Sequence, residues 1–94
     1  LAVTVKLVGA LRHLSGKTQL TLSFNDGQSV KDVVDSLTRE FPALKHTFSD
    51  GDLNDAKSNS LVLVNGVEIS VLDGYETKVS DGDEIVFVPV VHGG

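Results

Sequence analysis

The chain has 94 residues, 40% of them hydrophobic, with 13 Asp and Glu against 8 Lys and Arg for a net charge of −5, and it holds no cysteine and no methionine. Such a length fits one domain and buries roughly 60–70% of the unfolded surface, enough for one core but not for a deep enclosed active site as well. The lack of cysteine excludes disulfides, Cys-ligated zinc, iron–sulfur clusters and thiol catalysis by these residues, and the acidic balance argues against nonspecific nucleic-acid binding, which needs cations to neutralise phosphate.

No apolar run approaches the ~18 residues that span a membrane. No secretory leader precedes the first strand-like segment, so the expected location is cytoplasmic. Leu1 standing first, with no Met, places the expected start of the protein outside this sequence.

Residues 2–8, AVTVKLV, alternate, with Val3, Val5 and Leu7 on one side and Thr4 and Lys6 on the other; residues 18–24, TQLTLSF, repeat this with Leu20, Leu22 and Phe24. Period-two alternation predicts half-buried strands, joined by a loose loop from Gly9 to Lys17. At Ser29 the period changes. Val30, Val33, Val34, Leu37 and Phe41 recur at spacings of three and four, while Lys31, Asp32, Asp35, Arg39 and Glu40 face the other way. Ser29 is suited to cap such a helix, Asp32 and Asp35 suit its early turns, and Pro42 stops it.

Residues 43–60 read as a polar connection with a short turn around Leu44 to Phe48. LVLV at 61–64, the Asn65-Gly66 turn signal and VEIS at 67–70 predict a second hairpin. A loop through Leu72-Asp73-Gly74 and Ser80-Asp81-Gly82-Asp83 leads to EIVFVP at 84–89, whose Ile85 and Phe87 lie on one face and Val86 and Val88 on the other. Apolar residues on both faces predict a central strand. The order β-β-α-β-(β)-β describes an α+β domain in the β-grasp arrangement, a mixed sheet of four to five strands with one main helix packed across it. The expected organisation is a domain over residues 1–91 and a flexible tail, His92-Gly93-Gly94.

Two terminal glycines form a thin thread able to enter a narrow channel, because glycine reaches backbone angles closed to other residues. Taken alone, the same ending also fits an ordinary frayed terminus. The histidines His13, His46 and His92 are scattered and define no metal site. Asp50, Asp52 and Asp55 resemble a calcium loop only loosely, since no Glu closes it at the twelfth position. Gly74 and Gly82 stand beside acidic residues and read as turn glycines, not as a phosphate loop. With Ile85 and Phe87 in the core, Val86 and Val88 face outward, and the expectation groups them with Val62, Val64 and Val8 as one apolar patch, bordered by Pro89 and His92. A contiguous exposed apolar patch marks a docking surface; the alternative is that central strands are simply rich in Val.

Ser80-Asp81-Gly82-Asp83-Glu84-Ile85-Val86-Phe87-Val88-Pro89 with Val90-Val91-His92-Gly93-Gly94 resembles the ending of the ubiquitin-like β-grasp sulfur-carrier and modifier family, which includes MoaD and ThiS, the small archaeal modifier proteins and the ubiquitin-related modifier. Leu63-Val64-Asn65-Gly66 is similar to that family's turn after the third strand, and Leu7 to Leu14 to the motif after its first. The His-Gly-Gly tip and the long 43–60 connection look more like the modifiers than like MoaD chains.

The resemblance implies a substrate and carrier, not an enzyme. The Gly94 carboxylate would attack the α-phosphate of ATP on an E1-like adenylating enzyme, and AMP would leave to a sulfur donor, giving a thiocarboxylate, or to a lysine amine, giving an isopeptide. It implies no catalytic residue, no metal and no bound cofactor here, ATP being used by the partner, and no direct contact with nucleic acid or membrane. The outward sheet face is where activating enzymes and receptors dock in ubiquitin-like proteins. Expected partners are the activating enzyme, the sulfur donor, and target-protein lysines in protein conjugation, with tRNA thiolation as a further use. The alternative is the small subunit of molybdopterin synthase, inserting its tail into a large subunit to donate sulfur to a pterin. A further alternative is a β-grasp interaction module that is never conjugated.

Overall fold

A computed structural model describes residues 1–45 and 60–89. Five strands form one mixed sheet in the order β2-β1-β5-β3-β4. Strand β1 (Ala2–Leu7) pairs antiparallel with β2 (Gln19–Ser23) and parallel with β5 (Glu84–Pro89). On its other side β5 runs antiparallel to β3 (Ser60–Val64), which turns into the two-residue β4 (Val67–Glu68). The last strand is therefore central, as its two apolar faces predict.

Helix α2 (Val30–Glu40) lies across one face and buries Val30, Val33, Val34 and Leu37. Below it sit Val3, Val5 and Leu7 of β1 and Ile85 and Phe87 of β5, all no more than 2% exposed. Leu20, Leu22 and Phe41 close the edge of this core. Ser29 begins the helix as expected: an Asp32 carboxylate oxygen accepts the Ser29 backbone N–H at 2.8 Å and its hydroxyl at 3.3 Å. The helix ends at Glu40, since the residue before a proline is driven out of helical backbone angles.

Three features depart from the sequence expectation. The segment Gly9 to Lys17 is not a loose loop. It contains a short helix, α1 (Ala10–Ser15), that buries Leu11 completely. Six residues are too few to display a period. The helix is framed instead by Gly9, at φ +60°, and by Gly16, whose left-handed backbone lets its N–H reach the Arg12 carbonyl at 2.9 Å. Second, β4 stops at Glu68, and a 3₁₀ turn over Ile69–Val71 carries the Ile69 side chain into the core. The Asn65-Gly66 turn preceding β4 has both residues at positive φ, 51° and 85°, which matches the twist of a tight hairpin. Third, the connection to β5 contains a further 3₁₀ turn (Gly74–Glu76), and its Tyr75, Thr77 and Val79 are buried. A 3₁₀ turn over Pro42–Leu44 buries Leu44 at the near edge of the 43–60 connection; the rest of that segment lies outside the described residues.

Candidate functional site

Two neighbouring features form the candidate site: the end of β5 at Pro89 and the sheet face opposite α2. Backbone pairing puts Leu7 of β1 beside Phe87 of β5, and the Val8 N–H donates to the Phe87 carbonyl at 3.3 Å. Pro89 is the last residue of β5 and is half-buried. Its Cγ would stand 3.2 Å from a Cβ built on Gly9, which is also held at φ +60°. Any side chain at position 9 would both strain the backbone and press on Pro89. Gly9 thus lets Pro89 seat against the turn that follows β1. Nothing local in the sequence marks this pair, because the two residues are 80 positions apart.

The remaining predicted tail residues, His92, Gly93 and Gly94, lie outside the described residues, as do His46, Asp50, Asp52 and Asp55. His13 is exposed on α1. Gly74 and Gly82 occupy turns at φ +58° and +84°. Among the described residues no group of three or more His, Cys, Asp or Glu is placed to hold a metal ion. No helix among them is long and apolar enough to cross a membrane.

The predicted docking patch needs correction on β3. Val86 and Val88 are half-buried on the open face, but Val62 and Val64 are 1% and 6% exposed and belong to the core beneath α2. The pairing explains why. Val62 stands opposite Phe87 and Val64 opposite Ile85, and residues directly opposite in a ladder share a face. Leu61, opposite Val88, and Leu63, opposite Val86, are the β3 residues on the open face. Because LVLV is apolar at every position, its phase could not be read locally, and a one-residue slip exchanges the faces. Lys6 lies beside Val86 on the same face, in an exposed ion pair with Glu84 at 3.2 Å, and Val8 is 43% exposed just past β1. The open face is thus a leucine–valine surface over β5 and β3, with one ion pair at its β1 side.

The acidic motif before β5 is a set of backbone ties. Asp81 accepts the Ala2 N–H at 2.7 Å, and Gly82 donates to the Ala2 carbonyl at 2.8 Å. Asp83 accepts from the Ser80 N–H at 2.6 Å and from the Asn65 amide at 2.9 Å, while the Asn65 amide oxygen accepts the Glu84 N–H at 2.9 Å. These bonds lock the start of β5 to the start of β1 and to the β3–β4 turn. Two of the motifs that carry the family resemblance therefore meet in space and hold the central strand in register.

A five-stranded β-grasp sheet with β5 at its centre, a helix across one face and an apolar open face on the other, defines a ubiquitin-like domain. The chain belongs to the ThiS family, whose model matches residues 5–94. It is 32% identical over 91 residues to small archaeal modifier protein 3 of Haloferax volcanii, covering 96% of each chain. It is 34% identical over 100 aligned positions to ubiquitin-related modifier 1 of Schizosaccharomyces pombe, covering the full length of both. The fold superposes on the solution structure of small archaeal modifier protein 1 from Methanosarcina acetivorans with a TM-score of 0.82 at 41% identity, covering 99% of this chain and 96% of that one. These relatives are named as modifiers and not as catalysts.

Proposed function

We propose that this chain is a ubiquitin-like protein modifier and sulfur carrier that reacts through the α-carboxylate of Gly94. The observation that carries the reading is the placement of β5. The strand is central, paired on both sides and anchored by Asp81 and Asp83, and it ends at Pro89, five residues before Gly94. A reacting group on a short tether from a rigid strand is positioned by the whole domain, and two glycines without side chains suit a narrow channel. Full-length similarity to proteins named as modifiers supports the same reading.

The chemistry follows from the weakness of a carboxylate as an electrophile. An E1-like enzyme supplies ATP, the Gly94 carboxylate oxygen attacks the α-phosphate, and pyrophosphate leaves. The resulting acyl-adenylate loses AMP to a sulfur donor, which leaves a thiocarboxylate, or to a lysine amine, which leaves an isopeptide. Protein conjugation and tRNA thiolation are the two uses of these products. The open face of Leu61, Leu63, Val86 and Val88 docks the activating enzyme, with Pro89 and His92 leading into its channel. This chain contributes recognition and the reacting terminus, and the partner contributes the nucleotide site and all catalysis.

Incubation with the cognate E1-like enzyme, ATP and sulfide, followed by intact mass spectrometry, tests the reading. The expected product carries one sulfur in place of one oxygen at Gly94 and disappears when Gly94 is deleted. No mass change, with no pyrophosphate exchange into ATP, would overturn it.

A further inference from the structure

The two edges of the sheet are guarded unequally. At one edge β4 has only two residues before the chain leaves it in a 3₁₀ turn, which is too short to template another strand. At the other edge β2 runs for five residues, Gln19-Leu20-Thr21-Leu22-Ser23, in unbroken register with β1. It carries no charge, no proline and no glycine, and its register contains no bulge, so the usual devices that protect an edge strand are missing.

The pairing with β1 fixes which backbone groups of β2 are turned outward. Leu1 donates to the Phe24 carbonyl at 3.0 Å and Phe24 returns a bond to the Leu1 carbonyl at 2.9 Å, while Leu7 donates to the Thr18 carbonyl at 2.9 Å. In an antiparallel ladder such bonded pairs alternate, so Leu20 and Leu22 also bond to Val5 and Val3 of β1. The N–H and C=O groups of Gln19, Thr21 and Ser23 therefore point away from the sheet. All three residues are exposed, and among the described residues no hydrogen bond reaches these groups. Leu20 and Leu22 are half-buried against the core, leaving part of each side chain open at the same edge.

This edge is complementary to itself. A twofold axis through Thr21, perpendicular to the sheet, sets Thr21 opposite Thr21 and Gln19 opposite Ser23, each pair exchanging both of its outward backbone bonds. Leu20 then faces Leu22 of the other copy in the non-hydrogen-bonded positions, where side chains approach most closely. Exposed Lys17, before the strand, comes toward exposed Asp26, beyond its end, of the other copy. A parallel pair would set like charges together instead.

We propose that β2 is a self-association edge, through which two copies of this chain join antiparallel into one continuous ten-stranded sheet. Residues directly opposite share a face, so both α2 helices lie on one side and both open faces on the other. Strand β5 is separated from the contact by β1, which leaves the Pro89 end of each copy uncovered. A contact of one short strand buries less than the ~1,200 Å² of a standard interface, so the dimer is weak, with a Kd of roughly 0.1–1 mM.

Sedimentation velocity of the wild-type chain from about 0.01 to 1 mM tests the inference, and it needs neither ATP nor an activating enzyme, so its outcome is independent of the functional reading. The sedimentation coefficient should rise with concentration. Thr21→Pro removes an N–H that the sheet does not use, at an edge position that accepts proline, and should raise Kd at least about tenfold while circular dichroism stays that of the folded chain. Thr21→Lys keeps the backbone donor but sets two cations face to face across the axis, and should weaken the dimer similarly. Lys17→Glu should raise Kd about threefold, with recovery on adding Asp26→Lys, whereas Val67→Lys at the β4 edge should change nothing. In a mixed-label NMR sample, the Leu20 Hα of one copy should contact the Leu22 Hα of the other. A wild-type chain that stays monomeric at 1 mM overturns the inference, and so does a dimer that both Thr21 variants retain. A monomeric chain whose Gln19, Thr21 and Ser23 amides shift only when a different protein is added assigns the edge to that protein, and the inference falls.

Discussion

The two ends of the central strand are built differently. At its start, β5 is held by side-chain carboxylates and an amide, with Asp81, Asp83 and Asn65 bonding to Ala2, Ser80 and Glu84. At its end it is held by backbone pairing and by the packing of Pro89 on a bare glycine. The first arrangement fixes register, because each bond has a direction and a specific partner. The second uses backbone pairing and close packing, with no side-chain hydrogen bond from Pro89. Side-chain hydrogen bonds are concentrated at the start of β5, and the glycine at position 9 lets Pro89 seat closely at its end.

The largest effects should separate the two faces of β3. Val62→Asp places a carboxylate without water or partner against the Phe87 side of the core and should prevent folding, whereas Leu63→Asp on the open face should fold. If circular dichroism gives the reverse outcome, the β3 register is wrong by one residue. Phe87→Ala empties a fully buried aromatic site, and urea denaturation should show a loss of about 3–5 kcal/mol.

Next come the two ends of β5. Asp83→Ala leaves the Ser80 N–H and the Asn65 amide without their acceptor at a partly exposed site, for a loss of about 1–2 kcal/mol. Gly9→Ala forces a side chain into φ +60° and toward Pro89, for a loss of about 1–3 kcal/mol. The two should differ in kind. Hydrogen exchange should quicken at Asn65 and Glu84 in the first variant and at Val8 in the second; equal changes at both ends would erase the distinction between them.

Val88→Asp should fold with a stability loss of about 1 kcal/mol, because Val88 is only half-buried. It should weaken adenylation by raising KM, and an unchanged KM would remove the open face from the docking surface. Deleting Gly93-Gly94 should change stability least, since no described core residue is touched. It should abolish pyrophosphate exchange altogether, and a truncated chain that still exchanges would sink the assignment of Gly94.

The strands β1, β2 and β5 and the helix α2 were legible in the sequence, because each has one apolar side and one polar side or an apolar run of strand length. Val3, Val5 and Leu7 announce a face, Ser29 announces a helix start, and Ile85 to Val88 announce a central strand. The Gly-Gly ending and the Ser80–Pro89 motif likewise pointed to the family from residues alone. Only the tertiary structure decided which residues of Leu61-Val62-Leu63-Val64 face the core, since a segment apolar on both sides carries no phase of its own and takes it from the strand beside it. The same holds for the burial of Tyr75 and Val79 in an apparent loop, for the short helix on Leu11, and for the meeting of Gly9 with Pro89. Periodicity reports the amphipathicity of one element, whereas these four depend on contacts between residues distant along the chain, which exist only once the sheet has closed.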